Sequence, residues 1–423
     1  MSRTQPTLPV PPPLRGGEIG TFAHDTVVRR LPGIARRVLA ENALAPEQAA
    51  AVAALAEEIP HGPVRHLSDE GAPDAAAWAA YIAPYAGQSW LDVPWFFAET
   101  YFYRRVLEAT GYFRDGPGRG VDPFALQKRE GLELSRGAVG LLSTEGTEDT
   151  ERRSAEGAEG AERRGSVRVI RGERGAAALA RAISAAVWGN QADLSLWPAE
   201  AGGLPQGDSA PRAERLLADD TAALVERIAA LAERGGRVDV VLDNAGFELL
   251  GDLALVDLLL GLDITVVLHA KPHPTFVSDV TEPDLAATIE WLVAHDDPRA
   301  AALGARLARA RGEARLQVRA DWFWTSPLAG WEMPDALRSE LSVSGLIISK
   351  GDANYRRWLG DRHWPYDAPL DGVLGYAPAP LALLRTCKSE VAAGIRPERI
   401  AAASAQDPAW LTNGRWAVIQ LRR

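Results

Sequence analysis

"VDVVLDNAGFELLGDLALVDLLL", residues 238–260, begins as a short run of valines and ends as a long run of leucines, with Asp243 and Asn244 at the join. Branched apolar residues at nearly every position mark a strand covered on both faces, and the apolar run behind it is long enough for a helix. The same rhythm recurs in "SVRVI" at 166–170, "RVDVVL" at 237–242, "DITVVLHA" at 263–270, "ARLQVRA" at 314–320, "SGLIIS" at 344–349 and "RWAVIQL" at 415–421. Amphipathic helical patterns lie between several of them, such as the segments 208–234 and 284–295. Buried strands alternating with helices imply a three-layer α/β/α sandwich with a mainly parallel, Rossmann-like sheet. In such sheets ligands bind beyond the carboxyl ends of the strands, so the residues right after each run are where chemistry is expected.

Upstream the pattern is different. From Thr21 to about Arg129 the apolar residues recur at three- and four-residue spacing, in "TFAHDTVVRRLPGIARRVLAEN" (21–42), "APEQAAAVAALAEEI" (45–59) and "WLDVPWFFAETYFYRRVLEATGYF" (90–113), which predicts helices and almost no strands. The expected organisation is a disordered Pro-rich tail over 1–20, an all-α N-terminal domain over 21–142, a flexible Gly- and Glu-rich insertion over 143–166 and an α/β domain over 167–423.

The chain has 423 residues, 47% of them hydrophobic and 24% charged, enough for a large core. Its net charge of −10 argues against binding nucleic acid or an anionic membrane surface, so a small anionic ligand would need a local cationic pocket. Asp252 and Asp257 interrupt the best apolar run, which leaves no membrane span. Cys387 is the single cysteine, and with no internal disulfide available the expected compartment is the reducing cytoplasm. Oligomeric state is not legible.

Four polar clusters follow the strand runs. Asp243 and Asn244 follow the first; Lys271, His273, Ser278 and Asp279 the next; "DWFW" at 321–324 the third; and "KGDANYRR" at 350–357 the fourth. Asp243, Asn244 and Asp279 together would offer two carboxylates and an amide oxygen, a hard-oxygen set suited to Mg²⁺ or Mn²⁺, with positions left for water and substrate. The plain alternative for Asp-Asn after a strand is a turn and helix cap. In the fourth cluster Gly351 permits close backbone approach, the N–H groups of a helix starting near Asp352 form an anion seat, and Lys350 adds a mobile cation. Its alternative is a capped helix whose Arg356 and Arg357 are solvated.

Other patterns carry less. His269 and His273 have zinc-helix spacing, but Pro272 and Pro274 disfavour a helix there. Cys387 lacks the arginine six residues on that a cysteine phosphatase loop needs. "GPGRG" at 116–120 follows no apolar strand, and neither a "GxxxxGK[ST]" nor a "GxSxG" motif is present.

The blocks "DNAGFELLGDL", "HAKPHPTFVSDV", "ADWFWTSP", "KGDANYRRWLGDRHWP" and "RTCK", in that order, resemble the metal-dependent damage-control phosphatases, in particular the acidic-residue methyltransferase-like subfamily with its RTxK motif. The similarity extends to "TFAHDTVVRRLPGIARRVL", "WLDVPWFFAETYFYRR" and "WGNQADLSLW". The resemblance implies a divalent metal, Mn²⁺, Co²⁺, Ni²⁺ or Mg²⁺, held by Asp243, Asn244 and Asp279. It implies substrate contacts from Gly351, Asp352, Ala353, Asn354, Tyr355 and Lys388, with Arg385 of the RTxK element and Lys350 of the fourth cluster as further substrate-binding candidates. Glu248, one turn into the helix after the metal pair, would face the substrate or lie on the helix surface.

Phosphate-ester hydrolysis asks a protein mainly to position groups and neutralise charge. Asp243, Asn244 and Lys388 are the expected catalytic residues, and the nucleophile is either a water at the ion or the Asp243 carboxylate. The implied substrates are small phosphorylated metabolites such as fructose 1-phosphate, with Asn190, Asp193, Asp321 and Trp322 as candidates for selectivity. Two rival readings stay open: an S-adenosylmethionine-dependent glutamate carboxyl methyltransferase, disfavoured by the missing glycine-rich donor loop, and a non-catalytic metabolite-binding protein.

Overall fold

Successive side chains of a strand point to opposite faces, so a strand that is apolar throughout must feed two cores. Val241 and Ile347 join one core, while their neighbours Val240, Leu346 and Ile348 join the other; Leu381 and Leu383 are likewise separated from Ala382 and Leu384. The computed structural model describes residues 4–137, 139, 173–189 and 212–423. Among them one sheet contains β1 (Leu216–Asp219), β2 (Arg237–Val241), β3 (Thr265–Ala270), β4 (Leu316–Ala320), β5 (Leu346–Lys350), β6 (Leu381–Thr386) and β7 (Ala417–Arg422). The order is β1-β7-β6-β5-β2-β3-β4, with every neighbour parallel except the β6–β7 pair. The structure thus has the expected α/β/α layers and mainly parallel sheet.

The N-terminal helices cover one face. They are α1 (Phe22–Asp25), which continues through a π-helical segment Thr26–Arg30 into α2 (Leu31–Glu41), then α3 (Pro46–Glu58), α4 (Ala75–Ile82) and α5 (Trp95–Thr110), while α6 (Ala125–Leu134) crosses over and packs Leu132 against the opposite core. The other face is covered by α7 (Glu173–Trp188), α8 (Thr221–Ala232), α9 (Phe247–Gly261), α10 (Glu282–Val293) and α11 (Pro298–Gly312). The remaining helices include α12 (Asp335–Leu341) and, directly behind β5, α13 (Asp352–Leu359). Val27, Trp90, Trp95 and Tyr101 of the N-terminal region share a single core with Val241, Ile347, Tyr355 and Val418, so the helical region is a layer on the sheet.

Three expectations are corrected. The Pro-rich tail is not loose over residues 7–18: Thr7 N–H donates to Gly372 O at 2.8 Å, Leu14 is buried at 1% exposure, and Trp95 N–H donates to Leu14 O at 2.8 Å. The segment 208–234 is not one helix, because Leu216–Asp219 pairs in parallel with β7 before α8 begins. Strand β6 has no counterpart among the expected runs. "SVRVI" and the expected insertion 143–166 lie outside the described residues. Among the described residues no helix is long and apolar enough to cross a membrane.

Candidate active site

The chain runs β2, β3, β4 outward on one side and then returns to lay β5 on the other side of β2. The gap between β2 and β5 is therefore the topological switch point of the parallel part of the sheet. Asp243 leaves β2 at this gap and Gly351 leaves β5. A Cβ on Gly351 would sit 1.8 Å from Asp243 Oδ2, and φ at Gly351 is +79°, so only glycine fits there. The Asp243 carboxylate occupies the space a Cβ at Gly351 would need.

The exit from β3 brings in Asp279. Phe276 and Val277 both have positive φ, 45° and 68°, a conformation that costs a non-glycine residue on the order of 1–3 kcal/mol. The tight turn reverses the chain so that Ser278–Val280 runs antiparallel to Asp243–Ala245. Ala245 N–H donates to Ser278 O at 2.7 Å and Val280 N–H to Asp243 O at 2.8 Å, with Asn244 opposite Asp279. Lys271 donates to Leu242 O at 2.8 Å and lies 3.2 Å from Asp279 Oδ2.

Burial, first, and the charges of Glu248 and Asp279 hold the Asp243 carboxyl well above the usual carboxylate range. Burial also raises Asp279, against the lowering by Lys271. Asp279 Oδ1 is buried with no hydrogen-bond partner. Acids that crowd one another, with an unsatisfied oxygen, fit a cation between them. Among the described residues no three His, Cys, Asp or Glu side chains form a ligand cluster. The Asn244 amide oxygen accepts from Ser278 Oγ at 2.6 Å. The Asn244 NH₂ group donates to Asp243 Oδ2 at 2.9 Å and to Glu248 Oε2 at 2.8 Å, which fixes the end of the amide that carries oxygen.

Glu248 and Lys350 are not where the sequence suggested. Lys350 is buried on the face away from the N-terminal helices, 3.0 Å from Glu248 Oε1, 2.9 Å from Asp252 Oδ1 and 2.7 Å from Ala186 O. It is not a mobile cation at the rim. Glu248, 3% exposed, is neither a surface acid nor part of the cleft lining; it links Lys350 to the Asn244 amide.

A cleft opens above the carboxylates, lined by Asp243, Asn244, Asp279, Phe276, Asp352, Ala353, Arg356 and Lys388, and on the facing side by Phe22, Arg30, Trp95, Glu99 and Tyr103. Of the expected substrate contacts, Asp352, Ala353 and Lys388 line it. Asn354 lies beneath the floor, donating to Leu242 O at 3.0 Å and Lys350 O at 2.8 Å. Tyr355 is buried with its hydroxyl 3.2 Å from Gln420 Oε1. Arg385 does not line the cleft either. It donates to Asp352 Oδ1 at 2.6 Å and to Ser389 O at 2.9 Å, bracing the loop that carries Lys388, whose own N–H reaches Asp352 Oδ1 at 3.1 Å.

Arg356 is not solvated: it pairs with Glu99 and with Asp361 at 2.7 Å, and its guanidinium lies 3.5 Å over Trp95. Arg357 is buried too, donating to Ser326 O and Leu328 O, each at 2.8 Å. Asp321 caps a short 3₁₀ turn through Phe323 N–H at 2.8 Å, Trp322 is 41% exposed beside Phe113 and His273, and Asn190 and Asp193 lie outside the described residues. Burial pushes the Cys387 thiol up to about 11, unsuited to a nucleophile at neutral pH. "GPGRG" follows helix α5 and no strand.

Sequence reasoning missed the facing side of the cleft. Its residues sit in blocks that periodicity reads as helices and that the resemblance includes without giving them a role; a further signal was Glu99, an acid in the otherwise aromatic run "WFFAETYFY".

The model of the damage-control phosphatase ARMT1-like domain matches residues 26–402. Damage-control phosphatase ARMT1 of Danio rerio is 33% identical over 440 residues, covering 95% of this chain and 94% of the relative. The Mus musculus protein of the same name is 32% identical over 78% of this chain and 74% of its own, and the Homo sapiens one 27% over 97% and 98%. A solved structure of a DUF89 family protein from Pyrococcus horikoshii aligns over 93% of this chain and 96% of its own at 14% identity, with a TM-score of 0.43.

Proposed function

The chain belongs to the damage-control phosphatase ARMT1-like family, a family of phosphatase enzymes, and from that premise we propose that it hydrolyses small phosphorylated metabolites, sugar phosphates such as fructose 1-phosphate among them, with a divalent ion held by Asp243, Asn244 and Asp279. The observation that carries this reading is the meeting of two buried, mutually repelling carboxylates from two strand exits at the base of a cleft that also exposes Lys388. When bound, Mn²⁺, Co²⁺, Ni²⁺ or Mg²⁺ supplies Lewis-acid polarisation of a phosphoryl oxygen.

The chain's own groups do the rest. Lys388 neutralises charge on the equatorial oxygens, and the first-turn N–H groups of α13, which have no intrahelical acceptor, offer hydrogen bonds to the same anion. Glu248 and Ser278 fix the Asn244 amide from both ends, so its oxygen is already oriented before a cation arrives. Asp243 serves either by attacking phosphorus or by orienting the attacking water; an aspartyl-phosphate trapped by acid quench marks the first, its absence the second. The single cysteine, Cys387, fully buried and free, is in keeping with a cytoplasmic protein.

The test is a phosphate-release screen over sugar phosphates with each ion supplied separately, beside chelated enzyme and a folded D243N variant. Release is expected with at least one ion, and only background from the other two samples. Undiminished turnover in excess chelator would overturn the metal assignment.

A further inference from the structure

The block "TFAHDTVVRRLPGIARRVL" lies more than two hundred residues before Asp243, yet Phe22 and Arg30 from it line the same cleft. In an unbroken α-helix, residues eight apart are about 80° out of phase. Between Phe22 and Arg30, however, the helix widens into the π-helical segment Thr26–Arg30, closed by the Leu31 N–H on Thr26 O. Each residue of a wider turn rotates less, so the bulge brings the two side chains toward one face. π-bulges recur at functional sites. Here the bulge delivers a guanidinium 4.8 Å over the Phe22 ring and 3.3 Å from Thr26 Oγ1, half-buried, whose charge acts on the buried Glu99 carboxyl without forming an ion pair with it.

Charge accounting then gives Arg30 a task. Two aspartates balance a divalent ion, so the roughly two negative charges of a phosphomonoester at neutral pH fall to side-chain cations. Three cations line the cleft: Arg30, Arg356 and Lys388. Arg356 already carries Glu99 and Asp361. Lys388 comes from the sheet side. Arg30 is left as the cation of the facing helical layer.

Resting on the phosphatase reading above, we propose that Arg30 is a substrate-binding residue that grips the phosphoryl group from the helical layer, opposite the carboxylates, and that the π segment exists to aim it. The planar guanidinium gives two parallel N–H bonds to phosphate oxygens, which a lysine cannot reproduce.

The probe is inorganic phosphate, titrated by calorimetry into Mn²⁺-loaded wild type, R30Q and R30K, with Mn²⁺ affinity and circular dichroism measured on each. Arg30 is half-exposed and the two replacements are polar, so the fold is expected to be retained. Phosphate binding should weaken by about 10- to 100-fold in R30Q and by less in R30K. Mn²⁺ affinity should stay within about twofold. If wild type binds phosphate and R30Q binds it equally well, the assignment of Arg30 is overturned while the phosphatase reading stands. If wild type binds none even with Mn²⁺, the phosphatase reading fails and Arg30's role with it. A parallel loss of Mn²⁺ affinity in R30Q makes Arg30 a structural residue and also overturns the assignment.

Discussion

Replacing Lys350 by methionine tests the buried charge set behind the site. Lys350 Nζ stands 3.0 Å from Glu248 and 2.9 Å from Asp252, and the three side chains are at most 3% exposed. Methionine matches the volume and removes the charge, which leaves two carboxyls buried without their cation. Breaking a buried pair from one side costs about 3–5 kcal/mol. At roughly 2.1 cal/mol/K per residue, a chain of 423 residues unfolds with about 0.9 kcal/mol/K, so the midpoint should fall by about 3–6 °C.

The deficit should also depend on pH. Burial, opposed by Lys350, pushes the Asp252 carboxyl up to about 7. A carboxyl with a raised folded-state value holds its proton more tightly folded than unfolded. Its contribution to stability is therefore complete below the ordinary value near 4 and is lost as pH rises through about 7. Without Lys350 pulling the value down, that loss is deeper on the alkaline side, so the K350M deficit should be largest at pH 8 and shrink toward pH 5. The assay is differential scanning calorimetry of wild type, K350M and the triple variant K350M/E248Q/D252N, which removes all three charges and should regain most of the loss. A K350M midpoint within 1 °C of wild type at pH 8, or a triple variant no better than K350M, would refute the reasoning.

Two further outcomes follow from single positions. Gly351→Ala places a methyl group against Asp243 Oδ2 at a positive φ, so it should lower stability by about 1–3 kcal/mol in urea unfolding and weaken Mn²⁺ binding by more than tenfold; unchanged Mn²⁺ calorimetry would refute the close approach. Burial pushes His273 down to about 4, so its contribution is complete above the ordinary value near 6.5 and is lost as pH falls through about 4. In H273N the acid-side slope of unfolding free energy should flatten by about 3 kcal/mol over that window, and an unaltered slope would contradict it.

The strand exits were legible because valine and isoleucine at consecutive positions leave few alternatives to a buried strand. "LLAD" and "LALLRT" escaped, since leucine and alanine suit a helix equally and only pairing, of the first with β7 and of the second with β5 and β7, makes them strands. The turn at Phe276–Val277 carries no Gly or Asn to announce its positive φ, and surrounding contacts impose it. Arg30 was hidden twice over, by its distance along the chain and by a π segment that has no residue signature.

Lys350 is the instructive error, because the information was present. A lysine behind an apolar strand and before Gly351 looks like a rim cation when read along the chain. Read by strand period, it shares a face with Leu346 and Ile348, which pack toward helices α7 and α9, while Ile347 packs toward the N-terminal helices that form the facing side of the cleft. The same count sends Asp243, two beyond Val241, to the cleft, and puts Asn244 in phase with Leu242, where Glu248 and Lys350 wait. Asp243 is therefore held by the cleft, and the Asn244 amide, which lines the same cleft, is oriented from the opposite core. Alternation alone predicts that exchanging the order of Asp243 and Asn244 would preserve composition and destroy the site, and Mn²⁺ calorimetry on the D243N/N244D double variant should find binding gone.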